Sequence, residues 1–312
     1  MKYDCKEDII QITPFWEGER FENGRPKVPD DILARIKKTT SEEMWMPLYT
    51  NGYKFQFEGR LKRSNPDIDV VVGRAVTSVY IPTRPDLSQA LTEYAREFEG
   101  RKGNYNQWPL DILVKDDFVL MDMYGKVREG CPLGGNLTTL IAQKTGVGGL
   151  VWGGVRDLDQ IVGIKNAQFY YIDTDPTPFM ETVCVGINVP CHIGMCVALP
   201  GDVILGTPSG IIAIPAHMAE SCVIEAEKNH ARDIWGFMRL HEGKYTAAQI
   251  DSAWERGMWE DFEDWFKNSG DPRAAEYAHL DFEVELEDAR NGIIRNFAER
   301  MRQANEKAQT RW

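Results

Sequence analysis

Two glycine-rich turns hold the residues of this chain that are best suited to chemistry. The first turn consists of Gly134, Gly135, Asn136 and Leu137, and the second ends in Arg156 and Asp157. Backbone N–H groups at the start of a helix bind carboxylates, and an arginine grips the same anion through two parallel hydrogen bonds. An adjacent aspartate can hold Mg²⁺ directly or through water, because this ion prefers oxygen ligands. The two turns therefore predict a site for a small 2-oxo acid and a divalent metal.

The segment between the turns explains why they could meet. Thr138 to Lys144 predicts a short helix that starts near Asn136 and stops at Gly146, and the apolar run at 149–152 predicts a buried strand. A structural interpretation stays open beside the chemical one. Glycines before a helix often serve only a tight turn, and an Arg-Asp pair after a strand is often a surface ion pair or a helix cap.

A longer series of motifs connects these turns to a known family. The motifs are VGRAVT (72–77), DMYGK (122–126), GGNL (134–137), GGVRD (153–157), GINVP (186–190) and LPGDV (199–203). In this order and spacing, the chain resembles the family of the regulator of ribonuclease activity A and the class II 4-hydroxy-4-methyl-2-oxoglutarate / 4-carboxy-4-hydroxy-2-oxoadipate aldolases. The resemblance covers residues 35–230, and residues 242–246 and 249–251 resemble the tail of a longer subfamily.

The resemblance implies an α/β fold of the swivelling β/β/α type, with a mixed sheet flanked by helices. It also implies homotrimers or dimers of trimers, with the active site in a cleft between protomers. In the aldolases of the family, the residue matching Arg156 binds the pyruvate-like carboxylate, and the residue matching Asp157 carries Mg²⁺ or Mn²⁺. The turn that begins at Gly134 would supply backbone N–H groups.

The chain departs from the family at acidic positions. The residue after the first glycine is often an acid that helps a water carry a proton, and here it is Gly135. Trp152 replaces another acid before the arginine, and the turn at 206–210 lacks the usual Asp or Glu. The proton carrier could instead be Asp122, Glu129, His192 or a residue of a neighbouring subunit.

Two classes of function therefore stay open. The first is a divalent-metal-dependent carbon–carbon lyase that cleaves or decarboxylates a small 2-oxo acid through a metal-stabilised enolate. The alternative is a non-catalytic trimeric binding or regulatory protein of the ribonuclease-regulator type. Arg156 and Asp157 favour the lyase, which we take as the working interpretation, whereas the missing acids favour the regulator.

Composition excludes several other classes. A formal net charge of −12 argues against a nucleic-acid partner, because phosphate binding needs clustered Lys and Arg. The sequence has no apolar run long enough to span a membrane and no apolar signal core at its start, so we expect a cytoplasmic protein without a membrane partner. The six cysteines form no CxxC pair and lie mostly in apolar segments, which indicates buried thiols.

The pattern along the chain predicts an N-terminal wrapping segment (1–34), an α/β domain (35–230) and a helical, acidic and aromatic C-terminal extension (231–312). Residues 1–30 are expected to be irregular. Helices are predicted over 30–38, 87–98, 216–228, 254–266 and 291–307. Two strands are predicted around a turn at Gly73 and Arg74, and a strand-turn-strand segment over 110–123.

Overall fold

The structure is a computed structural model that describes residues 2–293. These residues form two compact units. The first combines the chain up to Ser41 with Phe55–Ala219, and the second combines Glu42–Lys54 with the described residues that follow Ala219. The boundaries drawn from the sequence after residues 34 and 230 stay a prediction.

The first unit is built on β-strands. In chain order, they are β1 (Phe57–Glu58), β2 (Lys62–Arg63), β3 (Val71–Pro82), β4 (Asp117–Asp122), β5 (Gly148–Val155), β6 (Gln168–Thr174), β7 (Thr182–Ile187), β8 (Cys191–Ile193), β9 (Cys196–Ala198), β10 (Val203–Thr207) and β11 (Gly210–Ile214). Within residues 2–293, nine of them form one sheet in the order β1-β11-β10-β3-β4-β5-β6-β2, with β7 paired to β3. Strands β3 to β6 run parallel, the other pairs run antiparallel, and β8 and β9 form a separate hairpin.

Helices connect and cover the strands, and further helices form the second unit. In chain order, they are α1 (Lys6–Ile12), α2 (Asp30–Ile36), α3 (Ser41–Thr50), α4 (Pro85–Glu97), α5 (Trp108–Asp111), α6 (Gly135–Thr145), α7 (Leu158–Ile161), α8 (Ala219–His241), α9 (Ala247–Ile250), α10 (Arg256–Asn268), α11 (Pro272–Glu276) and α12 (Glu283–Arg290). A 3-10 turn at Ala216–Met218 precedes α8. None of the helices in the described part of the chain is long and apolar enough to cross a membrane.

The predicted α/β fold class is confirmed, because a mixed sheet is covered by helices and the C-terminal part is helical. Strand β4 shows how the two faces of the sheet are built. Val119 and Met121 point to the face covered by α4 to α7, which we call the helix face. Phe118 and Leu120 point to the opposite face, where the β8–β9 hairpin packs, and which we call the hairpin face.

Three predictions of local structure are wrong. The predicted turn at Gly73 and Arg74 lies inside the continuous strand β3, because the Arg74 side chain is buried and its Nε donates to the carbonyl of Val28 at 2.7 Å. Residues 1–30 contain helix α1, whose Ile9 is fully buried. The first part of the predicted strand-turn-strand segment is the short helix α5, which begins with Trp108 followed by proline, and proline is favoured in a first helical turn.

The N-terminal segment is fastened to the sheet by a buried ion pair. Arg25 Nη1 lies 2.6 Å from Asp117 Oδ1, and both side chains are almost inaccessible to solvent. Burial raises the pKa of Asp117, although Arg25 opposes the shift. This ion pair joins the N-terminal segment to β4 within the first unit.

The second unit has an aromatic core. The predicted helix over 254–266 is confirmed in α10, which buries Met258, Phe262 and Trp265. These side chains pack with Trp235 of α8 and with Trp254, whose ring centroid lies 4.5 Å from that of Trp235. The helix predicted over 291–307 lies outside the described residues from position 294 onward.

Candidate functional site

The first glycine turn forms the start of α6, as the sequence predicts. Gly134 is the N-cap, and Gly146 ends the helix with a left-handed backbone at φ 68°. A Cβ on Gly134 would overlap Asp157 Oδ2 and would lie 3.2 Å from Arg156 Nε. Glycine at this position therefore lets the second turn approach the helix start.

Asp157 directs its carboxylate at the start of α6. Its backbone is left-handed, with φ 57° and ψ 41°, a conformation that aspartate tolerates better than most residues. The backbone carbonyl accepts from Gln160 and Ile161 at the start of α7, while Oδ2 accepts from the Gly135 N–H at 3.2 Å. The side chain is exposed, and Oδ1 has no hydrogen-bond partner within residues 2–293. One carboxylate oxygen is thus available to a ligand.

Arg156 presents a guanidinium that has no hydrogen-bond or ion-pair partner among residues 2–293. Its backbone N–H donates to the carbonyl of Leu133 at 3.1 Å, which fixes the residue at the end of β5. The half-buried guanidinium makes no hydrogen bond or ion pair with any residue in the described part of the chain. A half-buried cation without a counter-charge is a favourable position for an anionic ligand.

A cavity of about 440 Å³ lies in front of this guanidinium. Its lining consists of Asn104, Tyr105, Asn106, Gln107, Cys131, Pro132, Asn136, Leu137, Arg156, Pro178 and Phe179. Arg156 is the sole charged side chain among these residues, and no acid lines the cavity. The cavity therefore has a positive centre in neutral, largely amide and aromatic surroundings.

The first turn of α6 adds backbone donors to the cavity wall. The Gly135 N–H is used by Asp157, and the Thr138 N–H donates to the carbonyl of Gly134 at 3.1 Å. Asn136 and Leu137 lie between these two residues in the chain. Within the described residues, their backbone N–H groups have no acceptor, as expected in a first helical turn. Both residues line the cavity with Arg156. The groups predicted to bind a carboxylate are therefore neighbours, while their roles stay a prediction.

Cys131 is the one thiol in the cavity lining. Burial raises the pKa of this thiol to about 11, although the hydrogen bond to the Asp175 carbonyl and the charge of Arg156 oppose the shift. Its Sγ donates to the carbonyls of Val127 and Asp175, each at 3.4 Å. The thiol is therefore protonated at neutral pH and is not poised as a nucleophile.

The donor set for a metal is a single carboxylate. Residues 2–293 contain no group of three or more His, Cys, Asp or Glu that could hold a metal ion. Asp157 itself offers Oδ1 beside the cavity, although it is absent from the lining. One carboxylate fits Mg²⁺, which keeps several waters and accepts substrate oxygens as further ligands.

The suggested substitutes for the missing acid do not line the cavity. Asp122 has the strand parity of Phe118 and Leu120, so its side chain lies on the hairpin face, where it contacts His192 Nδ1. Burial raises the pKa of Asp122, and the hydrogen bond from the Tyr124 N–H at 2.8 Å opposes this shift. Strand alternation thus separates Asp122 from the Arg156 cavity of the same chain.

Glu129, the remaining suggested substitute, lies close in sequence to Cys131 and Pro132 of the cavity wall. Its backbone N–H donates to Thr177 Oγ1 at 2.6 Å, and its carbonyl accepts from the Met180 N–H at 2.7 Å. Its carboxylate lies 4.0 Å from Lys126 Nζ and does not line the cavity. Residues 2–293 therefore supply no proton-carrying acid to the lining of this cavity.

Comparison with known proteins identifies the family. Residues 42–213 match the RraA-like family, described as Aldolase/RraA, and this match spans more than half of the 312 residues. The chain belongs to the Aldolase/RraA family. This family includes both aldolases and regulators of ribonucleases, and its members are typically oligomeric. A comparison with curated proteins found no match.

Solved structures share the fold of the Aldolase/RraA chain. RraAS2 from Streptomyces coelicolor, described as an unusual member of the RNase ES inhibitor RraA protein family, is 19% identical with a TM-score of 0.55, and the match covers 69% of this chain and 98% of that one. An uncharacterised protein from Pseudomonas syringae pv. tomato is 18% identical with a TM-score of 0.56, covering 72% and 98%. A protein described among novel cellulases from gut-associated microbes is 21% identical with a TM-score of 0.55, covering 77% and 96%. At these identities, the likeness shows the fold alone.

Several cavity residues of this family member were not found from the sequence. Tyr105, Asn106 and Phe179 lie in loops before α5 and before β7, at positions without helical or strand periodicity. The polar run at 104–107 contains no motif that indicates a binding site. Its place in the cavity wall is decided by packing, since the Asn106 Nδ2 donates to the carbonyl of Pro132 at 2.8 Å.

Proposed function

We propose that this protein is a divalent-metal-dependent carbon–carbon lyase that acts on a small 2-oxo acid. The observation that carries the proposal is the unpaired Arg156 guanidinium, which faces a cavity of about 440 Å³ beside the free N–H groups of Asn136 and Leu137. Membership in the Aldolase/RraA family supports a lyase in broad terms. The homotrimer or dimer of trimers implied by the resemblance is kept as part of the proposal.

The substrate carboxylate would be bound from two sides. Arg156 would donate two parallel hydrogen bonds, and the N–H groups of Asn136 and Leu137 would add the favourable end of the α6 dipole. Because Arg156 has no competing carboxylate within residues 2–293, no ion pair has to break when the substrate binds. The carboxylate would therefore orient the adjacent keto group near the two turns.

Asp157 would hold Mg²⁺ or Mn²⁺ through Oδ1. When bound, the cation would supply positive charge to the keto oxygen as electrons move toward it. Asp157 would keep its own position through the contact of Oδ2 with the Gly135 N–H. The same aspartate would thus be a ligand and a link between the two turns.

The absence of an acid from the cavity lining sets an order of expected activities. Aldol cleavage requires removal of a proton from a hydroxyl group, whereas decarboxylation of oxaloacetate requires only stabilisation of the negative charge left on the keto oxygen. Because no carboxylate lines the cavity, water has to accept the hydroxyl proton unless a neighbouring subunit supplies a base. We therefore expect decarboxylation to be the easier activity to detect.

The absence of an acid from the cavity lining also favours the second candidate, a binding or regulatory protein. A cavity with Arg156 and no acid can bind a carboxylate without transforming it. Regulators of ribonucleases also occur in this family. In that case, the Arg156 cavity would bind an organic acid as a ligand.

The deciding experiment is a panel of 2-oxo acids assayed with Mg²⁺, with Mn²⁺ and with EDTA. The panel contains oxaloacetate, 4-hydroxy-4-methyl-2-oxoglutarate and 2-oxo-3-deoxy sugar acids, and pyruvate release is measured. The lyase proposal expects release that needs the metal and is lost in Arg156→Lys. Carboxylate binding without pyruvate release from any member would instead support the binding protein.

A further inference from the structure

The cavity lining around Arg156 has a composition that limits the substrate. Four residues of the lining carry carboxamide groups: Asn104, Asn106, Gln107 and Asn136. Tyr105 and Phe179 contribute aromatic rings, whose centroids lie 5.2 Å apart in an edge-to-face arrangement. Among the described residues, the lining contains no cation besides Arg156 and no acid.

The amide side chains are held by the loop itself. The backbone N–H of Asn104 donates to Gln107 Oε1 at 3.1 Å, and Asn106 Nδ2 donates to the carbonyl of Pro132 at 2.8 Å. The second contact fixes the orientation of the Asn106 amide, because only its nitrogen can donate to a carbonyl. Asn106 Oδ1 is left buried and accepts no hydrogen bond from residues 2–293. The carboxamide groups that a ligand can reach are therefore those of Asn104, Gln107 and Asn136, which are exposed or half-buried.

The aromatic part of the wall is also fixed. The hydroxyl of Tyr105 donates to the carbonyl of Thr182, so it is already engaged and the ring is held in place. The ring is also in edge contact with Trp108, at a centroid distance of 6.1 Å. A rigid apolar ring beside amide groups suits the C–H groups of a hydroxylated carbon chain.

A second carboxylate would be poorly accommodated by this wall. Arg156 is the single cation of the lining, and the proposed function already uses it for the carboxylate next to the keto group. A further carboxylate would lose hydration and gain no counter-charge, which is unfavourable in a partly enclosed site. A hydroxyl group both donates and accepts, as a carboxamide does, so it matches the wall without a charge.

We infer that the distal part of the substrate is a neutral polyhydroxylated chain, so that the substrate class is the 2-oxo-3-deoxy aldonic acids. This inference rests on the proposed function, because it places the 2-oxo acid end at Arg156. In cleavage, the C3–C4 bond breaks and its electron pair passes to C3 as an enolate. The C4 hydroxyl loses its proton to water, C4 becomes an aldehyde, and a proton from water on C3 completes pyruvate.

Binding of stable acids tests the inference apart from catalysis. Gluconate, adipate and hexanoate have chains of equal length and differ in hydroxyl groups and in the second carboxylate. Their dissociation constants are measured by calorimetry with the full chain in the presence of Mg²⁺. We expect gluconate to bind about tenfold more tightly than either of the others, the ratio that one additional hydrogen bond of ordinary strength provides. Adipate binding as tightly as gluconate would overturn the inference and leave the carboxylate site of the proposed function intact.

An added cation should remove the preference for gluconate over adipate. Asn104 is exposed, so Asn104→Arg places a positive charge at the cavity wall with little effect on the fold. We expect it to bind adipate about tenfold more tightly than the unmodified protein does. Asn268→Arg is the matched control, because Asn268 is an exposed residue of α10 and does not line the cavity. An equal gain in both variants would overturn the inference, because a general charge effect would then explain it.

The proposed function fails in a different way. If none of the three acids binds and Arg156→Lys changes nothing, the carboxylate site itself is wrong, and the inference falls with it. If all three bind equally and Arg156→Lys weakens each of them, the carboxylate site stands and the polyhydroxylated substrate is excluded.

Discussion

Arg156 on the helix face and Asp122 on the hairpin face each lie where a parallel strand ends, and only Asp122 is paired. Asp122 contacts His192 and accepts the Tyr124 N–H, whereas the Arg156 guanidinium has no partner within residues 2–293. Both positions combine an ionisable group with a strand end, a place where α/β proteins often bind ligands. A charge at a strand end therefore does not by itself indicate a binding group. A group that adjoins a cavity and has no partner can bind a ligand, whereas a paired group serves the structure.

Replacing the unpaired cation should have the largest effect. Arg156→Lys keeps the charge and loses the planar two-bond grip, so we expect kcat/KM for the active 2-oxo acid to fall about 100-fold. Asp122→Asn, assayed in parallel, should stay within about threefold of the unmodified enzyme, because a residue across the sheet does not touch the substrate. A larger loss in Asp122→Asn than in Arg156→Lys would reverse the comparison.

The second effect concerns the metal. Asp157→Asn keeps an oxygen that can accept from the Gly135 N–H and removes the negative charge, so we expect metal stimulation to fall at least about tenfold without loss of stability. Asp157→Ala should also lower the free energy of unfolding by about 1 kcal/mol, because the start of α6 loses an acceptor. Metal titrations and urea unfolding separate the two roles. Unchanged metal response in Asp157→Asn would remove Asp157 as the ligand.

The paired carboxylate should be more important for stability than for activity. Asp122→Ala leaves the partly buried Tyr124 N–H without its acceptor, so we expect a loss of about 1 kcal/mol in unfolding free energy. Activity per folded molecule should not change. A selective loss of activity with normal stability would show that the hairpin face takes part in the reaction.

Because the pKa of Asp122 is raised, its contribution to the stability of the folded protein depends on pH. A carboxyl group whose pKa is higher in the folded than in the unfolded state binds its proton more tightly when folded, so its contribution to stability declines as pH rises above about 4. Asp122→Asn should remove that part of the decline. Urea unfolding at several pH values measures the decline in both proteins. Identical pH profiles of stability for the unmodified protein and Asp122→Asn would contradict the raised pKa of Asp122.

The smallest expected effect comes from restoring the missing acid. Gly135 is helical without a positive φ, and a Cβ there would overlap Gln160 Oε1 and Cδ, which Gln160→Ala removes, and would lie 3.1 Å from Gln160 Cβ, which a small shift accommodates. Gly135→Asp combined with Gln160→Ala should therefore fold, and we expect it to raise aldol cleavage relative to decarboxylation about threefold. Gln160→Ala alone is the control. An unchanged ratio would mean that another group already carries the proton.

The motifs differ in how far the sequence reveals their purpose. The Gly134 turn, α6, its stop at Gly146 and β5 follow from local rules of capping and apolar pattern, and the structure confirms them. Asp202, in the LPGDV motif, has a role that the pattern does not reveal. Its carboxylate accepts from the Leu199 N–H at 2.8 Å and the Ala216 N–H at 3.0 Å, and it therefore holds two loops together.

The sequence by itself determined the helices and strands with strong periodicity, the family and the set of candidate residues at the two glycine turns. It also placed Arg156 beside Asp157, because adjacent residues need no tertiary information. The approach of Gly134 to both residues depends on the path of the chain between the two turns, which the regular α6–β5 connection makes predictable.

Only the tertiary structure decided which other side chains share the cavity and which do not. Asp122 and His192 were candidates for the Arg156 site until strand alternation placed them on the opposite face of the sheet. The amide wall at 104–107 was unrecognised, because loops carry no periodicity and their positions are set by contacts with residues distant in sequence. Local patterns specify elements, and the contents of a cavity depend on the long-range packing that brings those elements together.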